Sequence, residues 1–170
     1  MIRKFLLISL LLFIPALALA EAMPLSDTDF TLCVGDEAFS LGTDATPLIA
    51  ALDAYCDEPL TMSESDSCMF SGKDREFENS DVLLGTYPIG ADGTDQLESI
   101  LVMTDRFTTA RGAAVGMTLS DIYDLYGEEG VTDYDQLVYT TGDLSPIISF
   151  TFDPSTEVVT SWFLFRNTAN

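Results

Sequence analysis

The sequence predicts an α+β fold made of two tandem helix-on-antiparallel-sheet repeats that share one extended sheet. Three observations lead there. Apolar residues recur at helical spacing twice, at Leu48, Ile49 and Leu52 and again at Ile122, Leu125 and Tyr126. Each stretch is followed by a loop and then by short strand-like runs separated by turn-forming residues. Counted from Gly42 and from Gly116, Leu48 falls on Ile122, Ile49 on Tyr123 and Leu52 on Tyr126. The halves therefore repeat as a pattern while sharing little residue identity.

Residues 1–20 read as a secretory signal peptide. Arg3 and Lys4 precede an apolar run from Phe5 to Ile14, Pro15 breaks it, and Ala16 to Ala20 supplies an A-x-A cleavage site, with Ala22 as a fallback. The run is shorter than the roughly 20 residues a spanning helix needs. No cysteine follows the cleavage site, which argues against a lipid-modified N-terminus. The expectation is an exported protein, soluble after cleavage and not inserted in a membrane.

Residues 21–29 form a polar leader, and the first half spans residues 30–104. Phe30 to Val34 reads as a strand ended by Gly35-Asp36. Thr46-Pro47 predicts a helix start with a capping hydroxyl and proline at the first helical position. The polar stretch Asp57 to Ser67 reads as a loop, and Cys68–Phe70, Glu76–Glu78, Val82–Tyr87 and Leu97–Met103 as strands. Turn chemistry separates them at Ser71-Gly72-Lys73-Asp74 and Gly90-Ala91-Asp92-Gly93.

The second half covers residues 105–167, and residues 168–170 are a tail. Thr118 with Asp121 resembles a capping box, and Gly127 is a helix stop. Gln136–Thr141, Ile147–Phe152 and Val158–Phe165 then read as strands.

Gly116-Met117-Thr118-Leu119-Ser120-Asp121-Ile122 resembles the helix entry of the SmpA/OmlA outer-membrane lipoprotein family, whose helix-on-sheet plan occurs as a tandem pair in the β-lactamase-inhibitor-protein-like fold. The whole chain is also similar to uncharacterised exported proteins of Gram-positive bacteria, through Ser67-Cys68-Met69-Phe70-Ser71-Gly72-Lys73-Asp74 and a strand ending at Thr86-Tyr87-Pro88. Many of those look lipid-anchored, and this chain departs from them in lacking the anchoring cysteine. The resemblance implies a scaffold for protein contacts and brings no catalytic residues with it.

Composition excludes more than it identifies. The chain has 28 acidic residues, 7 basic ones and no histidine, for a net charge of −21. Loss of Arg3 and Lys4 with the signal would leave 5 basic residues against 28 acidic, or −23. Such a surface repels phosphate backbones, so nucleic acid is not an expected partner. Without histidine, Ser-His-Asp and Cys-His activation and ordinary zinc sites are absent, and no cofactor motif occurs. Lys73 would be the only lysine left, and Ser71 stands two positions before it, not the three of an S-x-x-K motif. Carboxylate pairs such as Asp133 with Asp135 or Glu76 with Glu78 keep a hydrolase of an exported polymer as the alternative. Asp92-Gly93-Thr94-Asp95 offers oxygen ligands without the EF-hand spacing, so no metal site is assigned, and an acidic calcium-binding envelope component is a further alternative.

The three cysteines, Cys33, Cys56 and Cys68, allow three single bridges. The preferred pairing is Cys56–Cys68, whose short loop would stabilise by roughly 3 kcal/mol.

The function expected is non-catalytic binding of another envelope or extracellular macromolecule through an open sheet face. The last strand is apolar on both faces, Val159, Ser161, Phe163 and Phe165 on one and Val158, Thr160, Trp162 and Leu164 on the other. Trp162, with Tyr139 and Tyr87 on neighbouring runs, is the candidate partner-binding patch, and the competing assignment of Trp162 is core. Ile49, Leu52, Ile122, Leu125, Phe150 and Phe163 are the predicted core.

Overall fold

A computed structural model describes residues 24–89, 94–142 and 146–167. The expected signal segment, the Gly90–Gly93 turn and the 168–170 tail lie outside the described residues. No helix among the described residues is long and apolar enough to cross a membrane.

Eleven strands and two α-helices make up the described chain. β1 (Thr31–Val34) and β2 (Glu37–Ser40) precede α1 (Thr46–Tyr55). β3 (Thr61–Asp66), β4 (Lys73–Glu78), β5 (Val82–Ile89) and β6 (Thr94–Val102) follow as a meander. After β7 (Thr108–Thr109) and α2 (Leu119–Tyr126) come β8 (Val131–Asp133), β9 (Gln136–Thr140), β10 (Ile147–Asp153) and β11 (Val158–Phe165). One antiparallel sheet of eight strands runs β3-β4-β5-β6-β11-β10-β9-β8, and a separate three-stranded sheet runs β2-β1-β7.

This corrects the expected fold. The protein is predominantly β and is not two helix-on-sheet repeats. The second sheet draws β1 and β2 from one expected half and β7 from the other. The helices are short, 10 and 8 residues, and share the covering layer with that sheet.

Local chemistry explains where the helices begin. Thr118 accepts from the Asp121 amide at 3.3 Å while the Asp121 carboxylate accepts from the Thr118 amide at 2.8 Å, completing the expected capping box. Gly127, at φ 85°, closes α2 in a conformation that favours glycine. At α1 the expectation was off by one position. The N-cap position is Ala45, which makes no side-chain capping bond, Thr46 is the first helical residue, and Asp44 just outside the helix accepts from the Thr46 amide at 2.9 Å.

One face of the large sheet is the core. The register sets Val82, Val102, Trp162, Phe150 and Leu137 in a row across five strands, all fully buried. Beside it runs Leu84, Ile100, Leu164, Ile148 and Tyr139. Leu48 and Leu52 of α1, Leu119, Ile122 and Tyr126 of α2, and Leu32, Val34 and Phe39 of the small sheet belong to the same cluster. Each such side chain contributes about 1.5–3 kcal/mol by burial. Leu52, Ile122 and Phe150 are core as expected, whereas Ile49 and Leu125 are half-buried against it.

Arg111 ties the N-terminal segment to α2 within the covering layer. Its Nε donates to Asp29 Oδ1 at 2.6 Å and its Nη2 to Asp29 Oδ2 at 2.9 Å. Its Nη1 donates to the Leu125 carbonyl at 3.1 Å and its Nη2 also to the Pro24 carbonyl at 3.0 Å, while the guanidinium lies 5.1 Å from the Tyr126 ring centroid. Burial disfavours the Asp29 anion, but the bonds from Arg111 and Ser26 outweigh it and hold the carboxyl below its ordinary range. Its stabilisation is thus present above the unfolded-state value of about 3.9 and is lost as pH falls toward the lower folded value. Asp29→Asn should cost roughly 3 kcal/mol at pH 7 by stranding the guanidinium. In urea titrations the gap from wild type should narrow below about pH 4, and a gap independent of pH would contradict the clasp.

Candidate functional site

The second face of the large sheet is built by the same alternation, interrupted twice. Between β10 and β11 the register steps from Thr151–Ser161 to Phe152–Val159, leaving Thr160 as a bulge. Between β5 and β6 it steps from Gly85–Ser99 to Thr86–Leu97, leaving Glu98 as another. A bulge moves every later side chain to the opposite face relative to simple alternation. Val159, Trp162 and Leu164 consequently share the core face, while Phe163 and Phe165 stand on the other.

This outcome corrects the expected patch. Trp162 is fully buried and Tyr139 is 4% exposed, its hydroxyl donating to the Gly127 carbonyl at 2.6 Å. Desolvation raises the Tyr139 phenol well above its ordinary value. Both are core, on the face opposite the one available to a partner. Tyr87 alone of the three stands on the open face, half-buried, stacked on Phe70 at 5.0 Å between centroids and donating to Gln96 Oε1 at 2.7 Å. Phe163, predicted as core, is half-buried there too.

The register lays two rows along the open face. One runs Leu83, Leu101, Phe163, Ser149, Val138 and Val131 through β5, β6, β11, β10, β9 and β8. The next runs Ser63, Glu76, Gly85, Ser99, Phe165, Ile147 and Thr140. Phe163 and Phe165 stack at 6.2 Å with an interplanar angle of 11°. Leu83, Leu101, Phe163, Phe165, Ile147 and Val138 are all partly exposed. The centre of the face is therefore apolar and the β3–β4 end acidic and hydroxylated.

At the acidic end lies a cleft of about 360 Å³, lined by Ser63, Ser65, Asp74, Glu76, Glu98 and Ser99 around Gly85, with Glu64, Arg75 and Thr86 contributing from the alternate positions. Gly85 leaves its floor bare. A methyl there would collide with the Ser99 hydroxyl. Asp74 Oδ1 is buried without a hydrogen-bond partner. Arg75 is committed elsewhere, bidentate to Asp95 at 2.7–2.8 Å and to Glu64 at 3.4 Å. An isolated glycine inside the strand-like run Val82–Tyr87 was the sequence signal for this cleft.

The remaining candidates do not gather into a site. Cys33, Cys56 and Cys68 are free, which corrects the expected Cys56–Cys68 bridge. Cys56 caps α1, whereas Cys68 lies beyond β3, whose six residues Thr61–Asp66 carry the chain away. At about 3.4 Å per residue that is roughly 20 Å, far beyond disulfide reach. Burial pushes the Cys56 thiol up, opposed by Asn79. Lys73 pairs with Asp66 at 2.6 Å in its hairpin. Asp133 lies exposed at the end of β8, Asp135 half-buried in the turn that follows, and Glu76 and Glu78 are exposed on β4. The proposed calcium turn falls partly outside the described residues, and its Asp95 is held by Arg75. Among the described residues no three acidic or cysteine side chains group so as to hold a metal ion.

Comparison with family models, with curated proteins and with solved structures finds no match to this chain.

Burial of Trp162 leaves its indole Nε1 without a partner. Trp162→Ala should cost roughly 3–5 kcal/mol through the cavity it opens. Trp162→Phe should cost clearly less, because it also removes the orphaned donor. Chemical denaturation of both variants tests this, and a Trp162→Ala protein as stable as wild type would return Trp162 to the surface.

Proposed function

We propose that the protein is an exported, non-catalytic binding module that holds another polypeptide on the open face of its eight-stranded sheet. The observation that carries this is the apolar row Leu83–Leu101–Phe163, with Val138 beyond Ser149 in the same row and Phe165 and Ile147 in the row beside it. A face meant only for water should alternate to polar residues here, and partly exposed apolar rows rimmed by charge mark contact surfaces. The net charge of −21 selects for a positively charged partner and speeds its encounter. The signal-like residues 1–20 support a place of action in the cell envelope or beyond it.

Phe163→Ser and Leu83→Asn test the face, with Tyr134→Ser as the control at a hairpin tip 86% exposed. Each would be immobilised after showing a melting transition close to wild type and presented with envelope and secreted fractions of the producing cells. The expected result is a polypeptide retained by wild type and by Tyr134→Ser, and lost by both open-face variants. Equal retention by all four proteins, or none by any, contradicts the proposal.

A further inference from the structure

We infer that β3, an edge of the eight-stranded sheet, takes up an extended cationic segment of another polypeptide as an added strand. This goes beyond the open-face reading, because backbone groups at the rim of the sheet make the contact and the apolar rows take no part in it.

The pairing pattern shows which groups are available. The Ser67 amide donates to the Gly72 carbonyl at 3.1 Å, and the register from Asp66–Lys73 to Thr61–Glu78 is unbroken. Bonded and non-bonded pairs alternate in an antiparallel ladder, so Ser65, Ser63 and Thr61 spend their backbone groups on β4. The Asn79 amide, which donates to the Val82 carbonyl at 3.0 Å, gives β4 the matching phase. Phe77 and Arg75 bond to β5, while Asp74, Glu76 and Glu78 bond to β3. The N–H and C=O groups of Met62, Glu64 and Asp66 therefore point away from the sheet. No strand or isolated bridge of the described residues meets them, and all six residues of β3 are exposed. Leu60, the preceding residue in this phase, has its amide taken by Asp53 Oδ1 at 3.0 Å, which sets the near end of the free edge at Met62.

The other edges differ. β7 and β8 are two and three residues long, and β2 is four, with Phe39 buried in the core. Edges are commonly guarded by proline, lysine or a bulge, and β3 has none of these. Its guard is negative charge, since residues 61–78 carry five carboxylates and two cations. That charge repels a second copy of a chain at −21 and favours a cationic strand. On the open face Thr61 and Ser63 are small, and their β4 partners Glu78 and Glu76 are exposed and outside the ion pairs of the described residues. An added strand would lie roughly 10 Å from β4, a gap that a lysine and a glutamate side chain span together. The incoming segment thus needs lysine or arginine at every second position.

The probe is the peptide acetyl-Lys-Thr-Lys-Val-Lys-Thr-Lys-amide, titrated into the protein and followed by ¹H–¹⁵N spectra and amide exchange. In the free protein the Met62, Glu64 and Asp66 amides should exchange rapidly, while those of Ser63 and Ser65 are protected. Saturating peptide should protect all three outward amides. Methylating the peptide amides of both threonines and the valine keeps its charge and removes the donors that face β3. Binding should then weaken on the order of ten-fold. Met62→Pro removes one outward donor and no bond to β4, so it should weaken binding while keeping a melting transition close to wild type. Binding that survives methylation, or that leaves the three amides unprotected, is charge attraction alone and overturns the inference. Shifts centred on Leu101 and Phe163 overturn it by seating the peptide on the open face. A dimer in sedimentation whose Met62, Glu64 and Asp66 amides are already protected overturns it in favour of a second copy. The open-face proposal is tested separately by Phe163→Ser and Leu83→Asn, since neither residue lies on β3 or on its neighbour β4.

Discussion

The pairing of β6 with β11 is the constraint on which the rest of the molecule depends. Val102 meets Trp162, Leu101 meets Phe163, Ile100 meets Leu164 and Ser99 meets Phe165. On one side of that seam stands the meander β3-β4-β5-β6 and on the other β8-β9-β10-β11. Without it there would be two small sheets, each with an additional unpaired edge and half a core. The strands it joins are separated in sequence by β7, α2 and three further strands, so the contact is costly in loop closure and must be repaid by burial. Trp162 and Leu164 provide that burial on one face, covered by the helices and the small sheet.

The same seam produces the candidate site on the opposite face. Phe163 and Phe165 sit on β11 beside the apolar β5–β6 residues Leu83 and Leu101, so seam formation is what brings the apolar residues of the open face together. The bulges flanking the seam set which side chains reach which face. With Thr160 and Glu98 as extra residues, the strands keep apolar side chains on the core while turning a second apolar set outward. Arg111 and Asp29 then fix the covering layer through an ion pair whose side chains are 13% and 8% exposed. The acidic excess plays little part in that architecture and is left to act at the surface, where it excludes polyanions and draws cations.

Much of the local structure was legible, and the reasons for the misses are physical. The α2 capping box, Gly127 and the strands β5, β6, β9, β10 and β11 carry strong local signals. β3 reads Thr-Met-Ser-Glu-Ser-Asp and is exposed along its whole length, so no alternation marks it. β7 and β8, two and three residues long, are too short to show a period. Alternation along Val158–Phe165 shows apolar residues on both faces, so it does not tell which is core. Taking the Trp162 face as open placed Phe163 in the core, and the unannounced Thr160 bulge hides that Val159 shares the Trp162 face. Of the site, Tyr87 and the idea of an open apolar face were readable. Asp74 and Glu76 were hidden among 28 acids, and only the glycine at 85 distinguished their neighbourhood.

Native-state hydrogen exchange of the protein is the most direct measurement of this account. Amides of Ile100, Val102, Trp162 and Leu164 should exchange only by global unfolding, with the slowest rates in the chain. Those of the edge strands β3 and β8 should open at much lower free energy. Seam amides that exchange as readily as the edges would show that the two meanders are not held as one sheet, and the open face would lose its physical basis.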